Sequence, residues 1–204
     1  MASSTRLRLV ALLAAVLFSV GYLVVLIIPG GGDVKAKDFT DYYDSDGRMY
    51  VAMVLMIVML AAAWALVWFF AEVKARLADD MLSRMAANVS LLGSGALVAG
   101  AAIMFGPTGV QFNSNADFVG VPIAQTFVQA GLGVMLLVAM SSLALATALV
   151  SISAHRQALV PRWLSIGGVV VAVLMLGSYI WLPGYIFPIW IVVFGLVGLR
   201  ERSA

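Results

Sequence analysis

Residues 49–71, 90–106 and 123–150 contain no charged side chain. A helix rises about 1.5 Å per residue, and a hydrocarbon core of about 30 Å needs roughly 20 apolar residues to cross it. Runs of this length and purity restrict the chain to helices that satisfy their own backbone groups. Only 11% of the residues are charged and 63% are hydrophobic, whereas an ordinary soluble domain carries about 25% charged residues. A water-facing surface cannot be made from this alphabet. The chain reads as an all-α integral membrane protein.

Six apolar runs follow one another, at about 9–28, 49–71, 85–106, 123–150, 163–182 and 185–199, and they are expected to form one six-span domain. The first follows a basic stretch ending at Arg8, as in a signal peptide. It is about 20 residues long, beyond the roughly 7 to 15 of a signal h-region, and no small-x-small cleavage site follows. Retention as a first membrane helix is the expectation. The last run has 15 residues, so the fifth and sixth helices should form a tight hairpin. Its Pro183-Gly184 tip would lie in the interfacial zone, with Trp181, Tyr185 and Trp190 at headgroup depth.

The polar segments between the runs carry the topology. Residues 33–48 hold five aspartates, of which Asp44, Asp46 or the intervening Ser45 should cap the second helix. Charges alternate from 72 to 88, while Val73, Leu77, Met81 and Met85 recur every four residues. That stripe predicts two helices running on past the membrane and turning near 78–80. Residues 107–122 should be a loop, with Gln111, Asn113, Asn115 and Asp117 and no basic residue. Six spans place Arg6, Arg8, Lys74, Arg76, Arg84, Arg156, Arg162, Arg200 and Arg202 on one side, against Lys35, Lys37 and Arg48 on the other. By the positive-inside rule both termini are cytoplasmic.

Several chemistries lose their support. There is no cysteine, and His155 is the only histidine, so thiolate and multi-histidine metal or haem sites are unavailable. The basic residues form short flanks rather than a stripe, which argues against a nucleic-acid partner. No charge lies within a span, where it would mark a proton or ion pathway. Gly93-Ser94-Gly95 resembles an intramembrane nucleophile, but such a serine needs a base beside it and none is at hand. Asp44-Ser45-Asp46-Gly47 lacks the remaining ligands of a calcium loop. The expectation is a protein without catalytic machinery or cofactor, with membrane lipids, and other membrane proteins, as its partners.

Residues 90–106 are about half Gly, Ala and Ser, which allows close helix approach where lipid supplies no hydrophobic drive. Gly93, the pair Gly95 and Ala99, and the pair Ala96 and Gly100 are therefore expected at helix contacts. Gln125 and Gln129 lie one turn apart in the fourth run, with Gly133 beyond them. Their amides are costly against lipid and should face the bundle, either bonding across to another helix or lining an outward cavity with Tyr22, Tyr179 and Asp117. Arg48, the only basic residue at the outward end of a span, is expected to pair with a nearby aspartate or to hold a lipid phosphate.

LVPRWL at 159–164, the apolar helix and Pro-containing turn after it, Pro188-Ile189-Trp190, and FTDYYDSDGRM at 39–49 together resemble small multi-span membrane proteins of actinobacteria near the DUF4386-type group. The resemblance implies a bacterial plasma-membrane location and a six-helix bundle. It brings no activity and no catalytic residues. Two functions are then in view. The leading one is an accessory, scaffold or lipid-interacting protein; the alternative is a facilitator or binder of a small apolar or lipid-like ligand through an outward-facing cavity.

Overall fold

A computed structural model describes residues 2–28, 36–114, 120–177 and 182–197. Every regular element among them is helical. In chain order these are α1 (Ala2–Tyr22), α2 (Val24–Ile27), α3 (Ala36–Tyr43), α4 (Asp46–Lys74), α5 (Met81–Ser114), α6 (Val121–Gly133), a π-helical segment (Val134–Ala139), α7 (Met140–Arg156), α8 (Arg162–Leu176), a 3₁₀ turn (Leu182–Tyr185) and α9 (Ile186–Val197). Among the described residues, four helices are long and apolar enough to cross a membrane: Thr5–Tyr22, Asp46–Lys74, Met81–Gln111 and Val121–Arg156. The last includes α6, the π segment and α7. Helices α8 and α9, with 15 and 12 residues, are apolar but shorter than a crossing requires.

The helices close into a ring, α1 packing on α4, α4 on α5, α5 on α6 and α7, α7 on α8, and α9 returning to α1. Glycines set the approach at these contacts. A Cβ on Gly21 of α1 would come within 2.9 Å of the Met59 backbone in α4. One on Gly93 would meet the Leu143 side chain of α7 at 2.9 Å, and α9 meets Ala11 of α1 at Gly195. Helix α5 is therefore a hub, as its small residues imply. Between α1, α4 and α9 the space is filled by rings instead. Phe18 stacks on Tyr22 at 5.5 Å between centroids, and Phe69 meets Trp190 and Phe194 edge-on at 6.3 Å each. Aromatic pairs of this geometry contribute about 0.5–1.5 kcal/mol each beyond area burial.

Several expectations about the elements are corrected. Trp190 packs inside the bundle, only 4% exposed among Phe69, Phe187 and Phe194, rather than facing outward. The supposed loop after residue 106 is helical as far as Ser114, with Pro107 buried inside α5. A proline there removes one backbone bond, but Thr108 and Gln111 beyond it find partners on α3. Of the four-residue stripe, Val73 and Leu77 are buried, whereas Met81 is 69% exposed and Met85 is exposed too. The inward face of the start of α5 is taken by Ser83, Ala86 and Ser90. Ser45 stands at the N-cap of α4 without a side-chain cap bond, and Asp46 lies in the first turn, where its charge favours the helix dipole.

Candidate functional site

Among the described residues, those of the alternative outward site do not come together. Gln125 and Gln129 are both exposed on α6. The inward face of that helix is Ala124, Val128, Gly131 and Leu132, and Gly131 presses so closely on α5 that its Cβ would lie 2.5 Å from the Gly100 carbonyl oxygen. At 3.6 residues per turn, Gln129 falls about 160° and Gln125 about 120° around the helix from Gly131. Gly133 is open, with nothing within 4 Å of a Cβ. Tyr22 is buried at the α1–α9 side, edge-on to Tyr185 at 5.3 Å, and α1 and α6 are separated by α4 and α5. Arg48 is exposed, and among the described residues it makes no ion pair. Asp117 and Tyr179 lie outside the described residues.

What covers the Asp46 end of the bundle instead is α3. Its Phe39, Tyr42 and Tyr43 are buried, while Asp38 and Asp41 are exposed. Tyr42 Oη lies 3.4 Å from Thr108 Oγ1, and Gln111 Nε2 donates to the Tyr43 carbonyl at 3.1 Å. Burial pushes the Tyr42 phenol up to about 12, with the Thr108 contact acting in the opposite sense, and burial raises Tyr43 as well.

At the opposite end, two polar nodes tie the helices together. Glu72 of α4, its side chain 12% exposed, meets Arg6 Nε of α1 at 2.7 Å and Arg76 Nη1 at 3.0 Å, and accepts from Trp68 Nε1 at 3.3 Å. The Arg6 guanidinium also lies 5.8 Å from the Trp68 ring centroid, within cation–π range. Asp80 starts α5: its Oδ1 accepts from the Ser83 amide at 2.7 Å, and Ser83 Oγ accepts from the Asp80 amide at 3.2 Å. This reciprocal capping box reaches α7 through Ser153 Oγ, 3.2 Å from Asp80 Oδ2, and Gln157, whose Oε1 accepts from the Ala78 amide at 2.6 Å. The Ser83 amide foremost, with the hydroxyl and amide donors, holds the Asp80 carboxyl below the usual carboxylate range. The i,i+4 spacing of Trp68, Glu72 and Arg76 was visible in the sequence. The Arg6 and Ser153 partners were not.

Between α4 and α5 the surface opens into a groove. Its part farther from the turn, about 310 Å³, is walled by Leu60, Ala63, Trp64 and Val67 of α4 and by Leu91, Ser94, Gly95 and Val98 of α5. Sharing Val67 and Leu91, a second part of about 520 Å³ continues toward the turn, past Ala71 and Ser90, to Lys74 and Asp79. Trp64, 70% exposed, and Leu91, 53% exposed, leave it open to the side. Gly95 belongs here: it has nothing within 4 Å of a Cβ, and Ala99 is likewise exposed. The expected contact through Gly95 and Ala99 is thus replaced by one through Gly93, Ala96 and Gly100. Gly95 lies about 200° around a 3.6-residue helix from Gly93, so the two cannot serve the same contact.

The chain matches no protein-family model, no curated protein and no solved structure. The likeness to the DUF4386-type group rests on the quoted residues alone. Among the described residues, no cluster of three or more acidic or histidine side chains could hold a metal ion.

Proposed function

We propose that this is a six-span protein of the bacterial plasma membrane, with both termini cytoplasmic, that works without catalysis by packing and by holding lipid. The observation that carries the reading is the lateral groove between α4 and α5, apolar along its walls and polar at one end. Grooves of that kind in a membrane-spanning bundle are solvated by lipid. The two short helices fit a six-span count if the turn around Pro183-Gly184 sits within the interfacial zone, since 15 residues cover only about 22 Å. The nine-to-three distribution of basic residues supports cytoplasmic termini. Reading the chain instead as a facilitator with an outward cavity draws no support from Gln125 and Gln129, which lie on the outer face of α6.

Topology and lipid retention test the two halves of this reading. Reporter fusions after Ala204 and within residues 33–47 should fall on opposite sides of the membrane; both on one side would overturn the six-span count. Protein purified in mild detergent should keep phospholipid through extensive washing, and stripping it should lower the unfolding temperature. Protein equally stable when stripped would overturn the lipid half.

A further inference from the structure

We infer that the α4–α5 groove holds one glycerophospholipid with an amine-bearing zwitterionic headgroup, of the phosphatidylethanolamine class. The inference rests on the lipid-holding reading above and names the site and the lipid.

The wall and the rim are chemically distinct. From Leu60 to Lys74 the groove follows α4 over 14 residues, about 21 Å at about 1.5 Å per residue. A leaflet's share of the hydrocarbon core is about 15 Å, so the groove takes an acyl chain and reaches into the headgroup layer. Trp68, exposed on α4 about 12 Å along the helix from Leu60, is the residue expected near that boundary. At the rim stand one cation and one anion, Lys74 and Asp79. Among the described residues Lys74 makes no ion pair, and the only one that Asp79 makes, to Arg84, is 3.9 Å long between side chains that are 61% and 72% exposed. A phosphate beside Lys74 and an ammonium beside Asp79 match this pair. An anionic headgroup with no amine leaves Asp79 opposed to like charge.

On the wall, Ser94 is 2% exposed and its Oγ, covered by the surrounding side chains, has no hydrogen-bond partner. Ser90, one turn earlier on α5, bonds the Ala87 carbonyl instead, whereas Ser151 of α7 is unpartnered like Ser94. Side chains lean toward the N-terminus of their own helix, so Lys74 at the end of α4 leans into the groove, where a phosphate would sit.

The test uses the full chain in nanodiscs of mixed phosphatidylethanolamine and phosphatidylglycerol, released into mild detergent, with bound lipid read by native mass spectrometry. Wild type should retain one phospholipid and favour the ethanolamine lipid by about two- to fivefold, the range an exposed ion pair supports. Asp79→Asn should bring that ratio to about one, and Lys74→Gln should weaken retention of both lipids. Gly95→Leu and, separately, Ala71→Leu fill the groove at exposed positions, and each should cut occupancy severalfold while leaving the unfolding temperature within a few degrees. Lipid retained equally by both folded groove-filling variants would overturn the site and leave the lipid-holding reading standing. A wild-type protein that retains no phospholipid would overturn both. Preference for the glycerol lipid, unchanged by Asp79→Asn, would overturn the headgroup assignment.

Discussion

Adding one methyl group to α6 and one to α5 should move stability in opposite directions. At Gly131 a Cβ would lie 2.5 Å from the Gly100 carbonyl oxygen and 2.6 Å from the Met104 amide nitrogen, both backbone atoms of the neighbouring helix. Carbon at its contact minimum needs about 3.5–4.0 Å, so α5 and α6 must part by about 1 Å. Overpacking of this kind costs about 1–3 kcal/mol, and a gap of 0.5–1 Å along the rest of the crossing forfeits roughly a quarter to a half of each contact's well. Replacing glycine by alanine inside a helix returns about 0.8–1 kcal/mol of propensity. Gly131→Ala should therefore destabilise by about 1–3 kcal/mol. At Gly95 no atom lies within 4 Å, so only the propensity gain applies, and Gly95→Ala should stabilise by about 0.5–1 kcal/mol. Equilibrium unfolding in mixed micelles, following the change in helix content, measures both. Equal shifts of the same sign would show that the closeness of α5 and α6 is not what holds this end of the bundle.

Glu72→Gln should destabilise by about 1–2 kcal/mol, because hydrogen bonds to a charged group are worth about 1.5–3 kcal/mol and the exposure of Arg6 screens part of that; the same unfolding assay reads it. The Asp80 carboxyl titrates below its ordinary value of 3.8, so its contribution is fully present above that value and is lost as the pH falls through the lowered one. The acid limb of a stability profile should accordingly flatten in Asp80→Asn. For Tyr42 the sign reverses: its pKa is raised from 10.0 to about 12, so its contribution is present below pH 10 and disappears as the pH rises toward 12. Tyr42→Phe should make that alkaline limb shallower without abolishing it, since burial raises Tyr43 as well, and the change is read as less phenolate absorbance coupled to unfolding. Ser94→Ala removes a buried hydroxyl with no protein partner and should change stability by less than about 0.5 kcal/mol; a loss of 2 kcal/mol would mean that the hydroxyl is bonded within the fold.

Much of this architecture could be read from residue order because two physical conditions act locally. Apolar runs must be helical wherever backbone groups find no water, and the runs containing α1, α4, α5 and the helix through α7 are long enough to make the reading secure. The turn near residues 78–80 was equally legible, since charge returns there on both sides. The end of α5 was not. Pro107 reads as a breaker, and only the partners that α3 offers Thr108 and Gln111 show why the helix continues.

Composition, run length and the placement of charge determined by themselves that the chain is helical and apolar, that its ionisable groups lie toward helix ends, and that α5 is a packing helix. They could not determine which face of a helix meets a neighbour. Small residues occur all around α5, and Gly93, Gly95, Ala96, Ala99 and Gly100 offer more than one stripe. A close crossing can use only one of them, and contact with Leu143 and Gly131 selected Gly93 and Gly100. That choice left Gly95 and Ser94 to line a groove, and it turned Gln125 and Gln129 outward on the partner helix. Helical periodicity is a property of the sequence. Its phase relative to the rest of the bundle is set by contacts between segments far apart in the chain, so the groove exists only in the tertiary structure.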